Sequence, residues 1–334
     1  MNLETKSKKT FVIAEAGNNH EGNLSNAKKL IKLAAKAGAD AIKFQTFLTE
    51  KFINKKDKTR FKQLKKFQLN FNQFKQLKDL ANKKKLKFIS TPLDIFSAKF
   101  LIKNSDIIKI ASSDNNFFPL LDVVLKSNKS IIISTGMTNY KELSHLIKYI
   151  KKKIGTKKTK EKIFLLHCVT SYPVEDKFVN LNSIPYLINK TNLTIGYSDH
   201  SLGFEACLGA VSLGAKIIEK HFTTNKKFSK FRDHAISADF NELKLIVRGI
   251  RKIENQIGKL SKDITRPERK FLMKLRRAPY SKKNLKKGEK ISIKNTEFLR
   301  GTNSKNFLNL KGIIGKKIKK DLKKNMIINK DNLI

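Results

Sequence analysis

Eight short apolar runs follow one another along this chain: TFVIAEAG, DAIKFQTF, KFISTPLD, IIKIASSD, SIIISTG, IFLLHCVT, LTIGYSD and KIIEKHF. Stretches with helical spacing of apolar residues separate them, such as NLSNAKKLIKLAAKAGA, NFNQFKQLKDLANKKK and FFPLLDVVLKSN, and NELKLIVRGIRKIENQIG follows the last run. Few architectures accept eight strand–helix pairs in roughly 250 residues, and the (β/α)8 TIM barrel is the one built for them. A doubly wound open sheet rarely needs so many units. The expected fold is therefore α/β, a (β/α)8 barrel.

Side chains alternate along a strand, so a barrel assigns one parity to its interior and the other to its helices. The interior parity through Glu15 takes Phe11 and Ile13; Lys43 goes with Ala41 and Gln45, and Lys109 with Ile107 and Ala111. His200 shares its parity with Gly196 and Ser198, and His221 shares its parity with Glu219 and Ile217. The opposite parity is apolar (Val12, Ala14, Ile42, Phe44, Ile108, Ile110, Ile218, Phe222), with Lys220 the exception. Charged residues thus point inward near the carboxyl ends of strands, where barrel enzymes keep their active sites. Unpaired buried charge is costly. These groups need either a ligand or one another, and Glu15 and Glu219 neutralising Lys43 and Lys109 is the plain structural alternative.

The chain holds 6 histidines, and two of them, His200 and His221, end the seventh and eighth runs. Neighbouring strands lie about 4.8 Å apart, so these imidazoles are placed to share one metal ion. Two protein nitrogens would leave positions open for water and substrate oxygens. A pair of hydrogen-bonded core histidines is the competing reading.

Net charge is +44, which points first to nucleic acid. However, 9 arginines stand against 63 lysines, and the lysines are spread over the whole chain. Readout of bases and phosphates favours arginine, so no nucleic-acid partner is expected, although the charge should draw in anionic small molecules. Cys168 and Cys207 are too few for a disulfide framework and are not spaced as a zinc pair. The opening MNLETKSKKT lacks the apolar core of a secretory signal, and no run is long enough to span a bilayer. A cytoplasmic protein with no membrane partner is expected.

The segment IAEAGNNHEGNLSNAKKLIKLAAKAGADAIKFQTF resembles the opening of the bacterial sialic acid synthase family, which comprises N-acetylneuraminate synthase and its legionaminate, pseudaminate and spore-coat relatives. FISTPLD, IIKIASSD, IISTGM, LLHCVTSYP, IGYSDHSLG and IEKHFT resemble it too, in order and across nearly the whole chain. The resemblance implies condensation of phosphoenolpyruvate with the open-chain aldehyde of an N-acetylmannosamine-like sugar. The products would be a nine-carbon 2-keto acid and phosphate. It implies manganese, or another divalent cation, on His200 and His221. Lys43, Thr91, Lys109, Ser112, Ser134 and Ser198 match positions that hold phosphoenolpyruvate, a combination of point charges and directional donors suited to an anion. Glu15 matches a carboxylate at the reacting centre, and Asn19 and Tyr172 match residues lining the sugar site. Asp199, next to His200, is expected to orient an imidazole. After the eighth run the family shows a Pro-Gly loop before an aspartate that meets the sugar. Here the stretch reads NKKFSKFRDHAIS, and only Asp233, His234 and Ser237 keep the pattern. His234 is expected to be a loop histidine beside the pocket rather than a third metal ligand.

The expected domains are a catalytic barrel over 1–260, a linker over 261–276 and a small β-rich domain over 277–334. The last of these resembles the SAF (antifreeze-like, β-clip) domain that closes the family. Within it NLKKGEKISIKNTEFL is echoed by DLKKNMIINKDNLI, with Gly288 replaced by Asn325, both types that tolerate positive φ. No regular threonine array of the kind an ice-binding face needs is present. The resemblance implies a domain-swapped homodimer in which Arg300 reaches the partner's active site. Two rival readings remain: a lysine Schiff-base aldolase using Lys43 or Lys109, and a non-enzymatic binder of anionic sugars or RNA.

Overall fold

A computed structural model of the chain describes residues 9–300 and 310–334. Residues 1–8 of the opening stretch, and Gly301 of FLRG, lie outside the described residues. The chain divides into two compact units after Gly258.

The first unit is a closed barrel of eight parallel strands in sequence order: β1 (Phe11–Gly17), β2 (Ala41–Thr46), β3 (Lys87–Pro92), β4 (Ile107–Ile110), β5 (Ser130–Ser134), β6 (Ile163–Cys168), β7 (Thr194–Asp199) and β8 (Ile217–His221). β1 closes the ring by pairing with both β2 and β8, Glu15 lying opposite Lys43 on one side and His221 on the other. The inward parity holds. Ile13, Ala41, Ile89, Ile107, Ile132, Phe164, Leu166 and Ile217 form one buried cluster inside the barrel, and Val12, Ala14, Ile42, Phe44, Ile108, Ile110, Ile218 and Phe222 pack into the other, beneath the helices. The interior is thus apolar towards the strand amino ends and charged towards their carboxyl ends.

Two of the intervening helices show how the sequence supplies a stripe and a cap. In the helix Phe240–Ile257, Leu243, Ile246, Val247 and Ile250 are buried, and Asp239 with Glu242 makes a reciprocal capping box. The helix Tyr140–Ile154 buries Leu143, Leu146, Ile147 and Ile150 and carries Lys151, Lys152 and Lys153 in its last turn, where the helix dipole favours cations. Among the described residues no helix is long and apolar enough to cross a membrane.

The second unit, Lys259–Ile334, contains the helix Arg266–Leu275, which falls within the expected linker, and the antiparallel pair β9 (Arg277–Ser281) and β10 (Thr296–Arg300). The sequence echo is a structural repeat. Leu285 and Leu322 exchange both backbone hydrogen bonds at 2.8 Å. Lys287 N–H donates to Asp321 while Lys324 N–H donates to Asn284, each at 2.8 Å. Gly288 and Asn325 occupy the equivalent turn positions at φ 85° and 62°. Ile291 and Ile328, also equivalent, share one small core with Leu285 and Leu322.

Candidate active site

A cavity of about 690 Å³ opens at the carboxyl ends of the barrel strands. Glu15, Lys43, Thr91, Lys109, Ser112, Ser134, Tyr172, Ser198, His200, His221 and Asp233 all line it. Residues far apart in the chain meet there because most of them stand on the strands with inward parity towards the carboxyl ends, while Ser112, Tyr172 and Asp233 come from the segments that follow β4, β6 and β8.

At the centre lies a buried charge cluster. Lys43 Nζ is 2.9 Å from Glu15 Oε1 and 3.5 Å from Glu219 Oε2, and Lys109 Nζ is 3.9 Å from Glu219 Oε1. Lys109 also donates to Ser134 Oγ at 2.5 Å, Ser198 Oγ donates to Glu219 at 2.9 Å, and Lys43 reaches Thr91 Oγ1 at 3.4 Å. The internal ion-pair network is therefore real, and it forms the cavity wall. Burial pushes the Glu15 carboxyl up, against the pull of Lys43 and with the help of Glu219, to about 7. Burial alone would also raise Glu219, but Lys109 and Lys43 outweigh it and hold that carboxyl below the usual range. Burial lowers Lys109, whereas Glu15 and Glu219 outweigh burial at Lys43 and keep its ammonium charged. The two carboxylates thus differ in character. Glu219 is a fixed anion, and Glu15 exchanges a proton near neutrality.

Beside this cluster stand the two imidazoles, their ring centroids 5.4 Å apart. Burial keeps both neutral, and His200 and Lys43 push His221 down further. His200 Nδ1 donates to the Val169 carbonyl at 2.7 Å, which leaves the lone pair of Nε2 available. His221 Nδ1 is buried without a hydrogen-bond partner. A buried, unpaired ring nitrogen on one neutral imidazole, beside a second neutral imidazole with Nε2 available, makes the donor set a divalent cation takes. Among the described residues no group of three or more His, Cys, Asp or Glu is arranged around a metal position. A cation here would rest on two protein nitrogens. The Tyr172 ring lies 4.2 Å from His200 and 6.0 Å from His221, and Arg232 stacks over the same tyrosine at 4.7 Å while approaching Asp233 to 3.4 Å.

Several expected placements differ. Asn19 lies behind the wall, its amide donating to the Phe222 carbonyl and Ser237 Oγ, each at 2.9 Å; Asn18 lines the cavity instead and donates to Gln45 at 2.7 Å. The turn after β1 reverses which asparagine faces inward. Asp199 does not touch an imidazole. It faces the helices and binds Lys220, and this pairing resolves the one charged exception on the outward parity. His200 is instead held by the Val169 carbonyl. His234 follows the lining residue Asp233 but does not itself line the cavity; both its nitrogens are engaged, by Thr223 Oγ1 at 2.7 Å and Glu21 Oε1 at 3.3 Å, and it is fully buried. Arg300 is exposed on β10 in the second unit. Parity alone marked Gln45 and Glu219 as inward. No local pattern marked Arg60, which the helix Lys58–Phe67 brings to the cavity, or Arg232.

These features define a (β/α)8-barrel protein whose strand ends carry a mixed-charge cradle and a pair of neutral imidazoles. The chain belongs to the NeuB family, whose model matches residues 30–262. It is 37% identical to the N,N'-diacetyllegionaminic acid synthase of Campylobacter jejuni, over 96% of this chain and 99% of that one. An uncharacterized protein of Methanocaldococcus jannaschii is 42% identical over 98% of this chain and 96% of its own length. The crystal structure of an N-acetylneuraminic acid synthetase from Leptospira borgpetersenii, in complex with citrate, superposes with a TM-score of 0.75 at 34% identity, covering 81% of this chain and 94% of that one.

Proposed function

We propose that this chain is a metal-dependent sialic-acid-type synthase. It condenses phosphoenolpyruvate with the open-chain aldehyde of an N-acylated mannosamine-like sugar and releases phosphate. The observation that carries this reading is the adjacency of two unlike devices in one cavity: facing neutral imidazoles, and two buried ammoniums ringed by hydroxyls. The relatives named as legionaminic acid and N-acetylneuraminic acid synthases support it.

In this reading Lys43 and Lys109, with Thr91, Ser112, Ser134 and Ser198, hold the phosphate and carboxylate of phosphoenolpyruvate. His200 and His221 hold manganese or another divalent cation, which when bound supplies Lewis-acid polarisation of the aldehyde oxygen. The enol carbon forms the new bond to the aldehyde carbon, and the aldehyde oxygen takes up a proton. Water adds at the carbon bearing phosphate, and the C–O bond to phosphate then breaks to leave the ketone. Glu15 handles the proton of that water, a role suited to a carboxyl poised near neutrality. Tyr172 and Asp233 face the sugar, and Arg300 completes the sugar site from a partner subunit in a domain-swapped dimer.

The test is a panel of N-acetyl and di-acetamido hexoses assayed for phosphate release from phosphoenolpyruvate, with and without manganese. No release with any sugar in either condition overturns the reading. The lowered Lys109 ammonium is the one feature that favours the Schiff-base alternative. Borohydride with pyruvate would trap an adduct on such an aldolase and none on the synthase.

A further inference from the structure

Behind the imidazoles, on the helix-facing side of the wall, lies a second buried charge pair that takes no part in the cavity. Lys220 Nζ is 2.6 Å from Asp199 Oδ2, and the two residues are each 1% exposed. They face each other as the last rung of the β7–β8 ladder. His200 and His221 each follow by one residue. The Asp199 carboxylate also accepts from the Tyr197 hydroxyl at 2.9 Å, from Ser201 N–H at 2.8 Å and from Ser201 Oγ at 2.7 Å. Lys220 donates in addition to the Ser201 carbonyl at 2.6 Å. The backbone on both sides of His200 is therefore fastened to the residue that precedes His221.

A buried ion pair is a poor way to gain stability, since apolar side chains of similar volume often do as well. It is a good way to fix register, because it is satisfied in one geometry only. Groups outside the ligand shell set the orientation of metal ligands, and this pair, which touches neither ring, acts on the backbone that carries both imidazoles. We propose that Asp199 and Lys220 are positioning residues that hold His200 and His221 at the separation a divalent cation requires. This inference rests on the metal reading of the two histidines.

The experiment measures Mn2+ binding to the full-length protein by electron paramagnetic resonance, with circular dichroism and Tm as fold controls. The double substitution Asp199→Leu/Lys220→Met removes both charges together and leaves neither unpaired. It is expected to stay folded and to bind Mn2+ about 10- to 100-fold more weakly. Arg251→Met, at the opposite end of the barrel where Arg251 ties Asp40 and Glu254, is expected to lower Tm without moving the Mn2+ affinity. A folded double variant that binds within threefold of the wild type overturns the proposal. If the double variant does not fold, Asp199→Asn decides by the same threshold. Failure of the metal reading looks different: there the wild type itself would show no bound Mn2+ that His200→Ala abolishes.

Discussion

His200 and His221 present their rings to each other across 5.4 Å although twenty residues and a helix separate them in the chain. His200→Ala and His221→Ala should each lower Mn2+ affinity by at least ~100-fold, beyond the usual 10–100-fold for losing an outer partner of a ligand. His221→Ala should fold normally, since a ring nitrogen of His221 has no protein partner to lose, whereas His200→Ala gives up the bond to the Val169 carbonyl and should lower Tm modestly. Calorimetric titration with Mn2+ checks this, and unchanged affinity in both variants would remove the metal from the site.

Glu15→Gln keeps the shape of the side chain and removes its titration. Phosphate release should fall by roughly 10²- to 10⁴-fold, the range typical of a lost general acid–base group. Metal content should not change. Near-normal turnover with full metal content would rule out the proton-handling role.

The Glu15 carboxyl, raised to about 7, makes two pH dependences. Below 7 it holds a proton, so the cluster around Lys43 and Lys109 carries one more net positive charge than it does above 7. Phosphoenolpyruvate affinity should therefore weaken from pH 6 to pH 8, and Glu15→Gln should flatten the part of that slope due to the enzyme. For stability the sign follows from proton counts. Between an unfolded value near 4.5 and the folded value near 7 the native state keeps a proton that the unfolded chain has lost. The contribution of this group is full below the lower value and fades as pH rises through the upper one. Urea midpoints of wild type and Glu15→Gln, compared at pH 5 and pH 8, should diverge in that direction.

Gly196 is inward on β7, and an added Cβ would lie 2.5 Å from the Ile217 carbonyl oxygen and 2.6 Å from Leu166. Backbone cannot move aside as a flexible side chain can, so Gly196→Ala must displace β8. We expect a loss of about 1–3 kcal/mol in stability. Weaker Mn2+ binding should accompany it, because β8 carries His221. A melt and a metal titration read both effects, and wild-type values in both would show that the strand yields freely.

Arg300→Ala should raise the sugar KM and leave Mn2+ binding intact, because the side chain stands exposed on β10 of the second unit and both imidazoles belong to strands of the first. An unaltered sugar KM would reject the role that resemblance to the family assigns to this residue.

The period of the strands carried most of the architecture. Alternation alone separated Ile13 and Glu15, which face the interior, from Val12 and Ala14, which face the helices, because a side chain two residues on must return to the same face. The echo in the second unit, whose copies are offset by 37 residues, was equally legible, since Gly288 and Asn325 mark one turn twice. Less was visible where the chain leaves a strand. After β1 and β8 parity no longer applies, and Asn18 rather than Asn19 turns into the cavity while His234 turns away from it.

What the sequence determined by itself is therefore which groups stand at strand ends and on which face, a consequence of local backbone geometry. What only the tertiary structure decided is how those groups share charge and protons. Glu15 and Glu219 are both inward glutamates, yet one titrates near neutrality and the other stays ionised. Barrel closure puts Glu219 within reach of both lysines and of Ser198, while Glu15 has one close cation against its own burial. Interaction between charges depends on separation and surrounding dielectric, and both are properties of the closed barrel rather than of any segment.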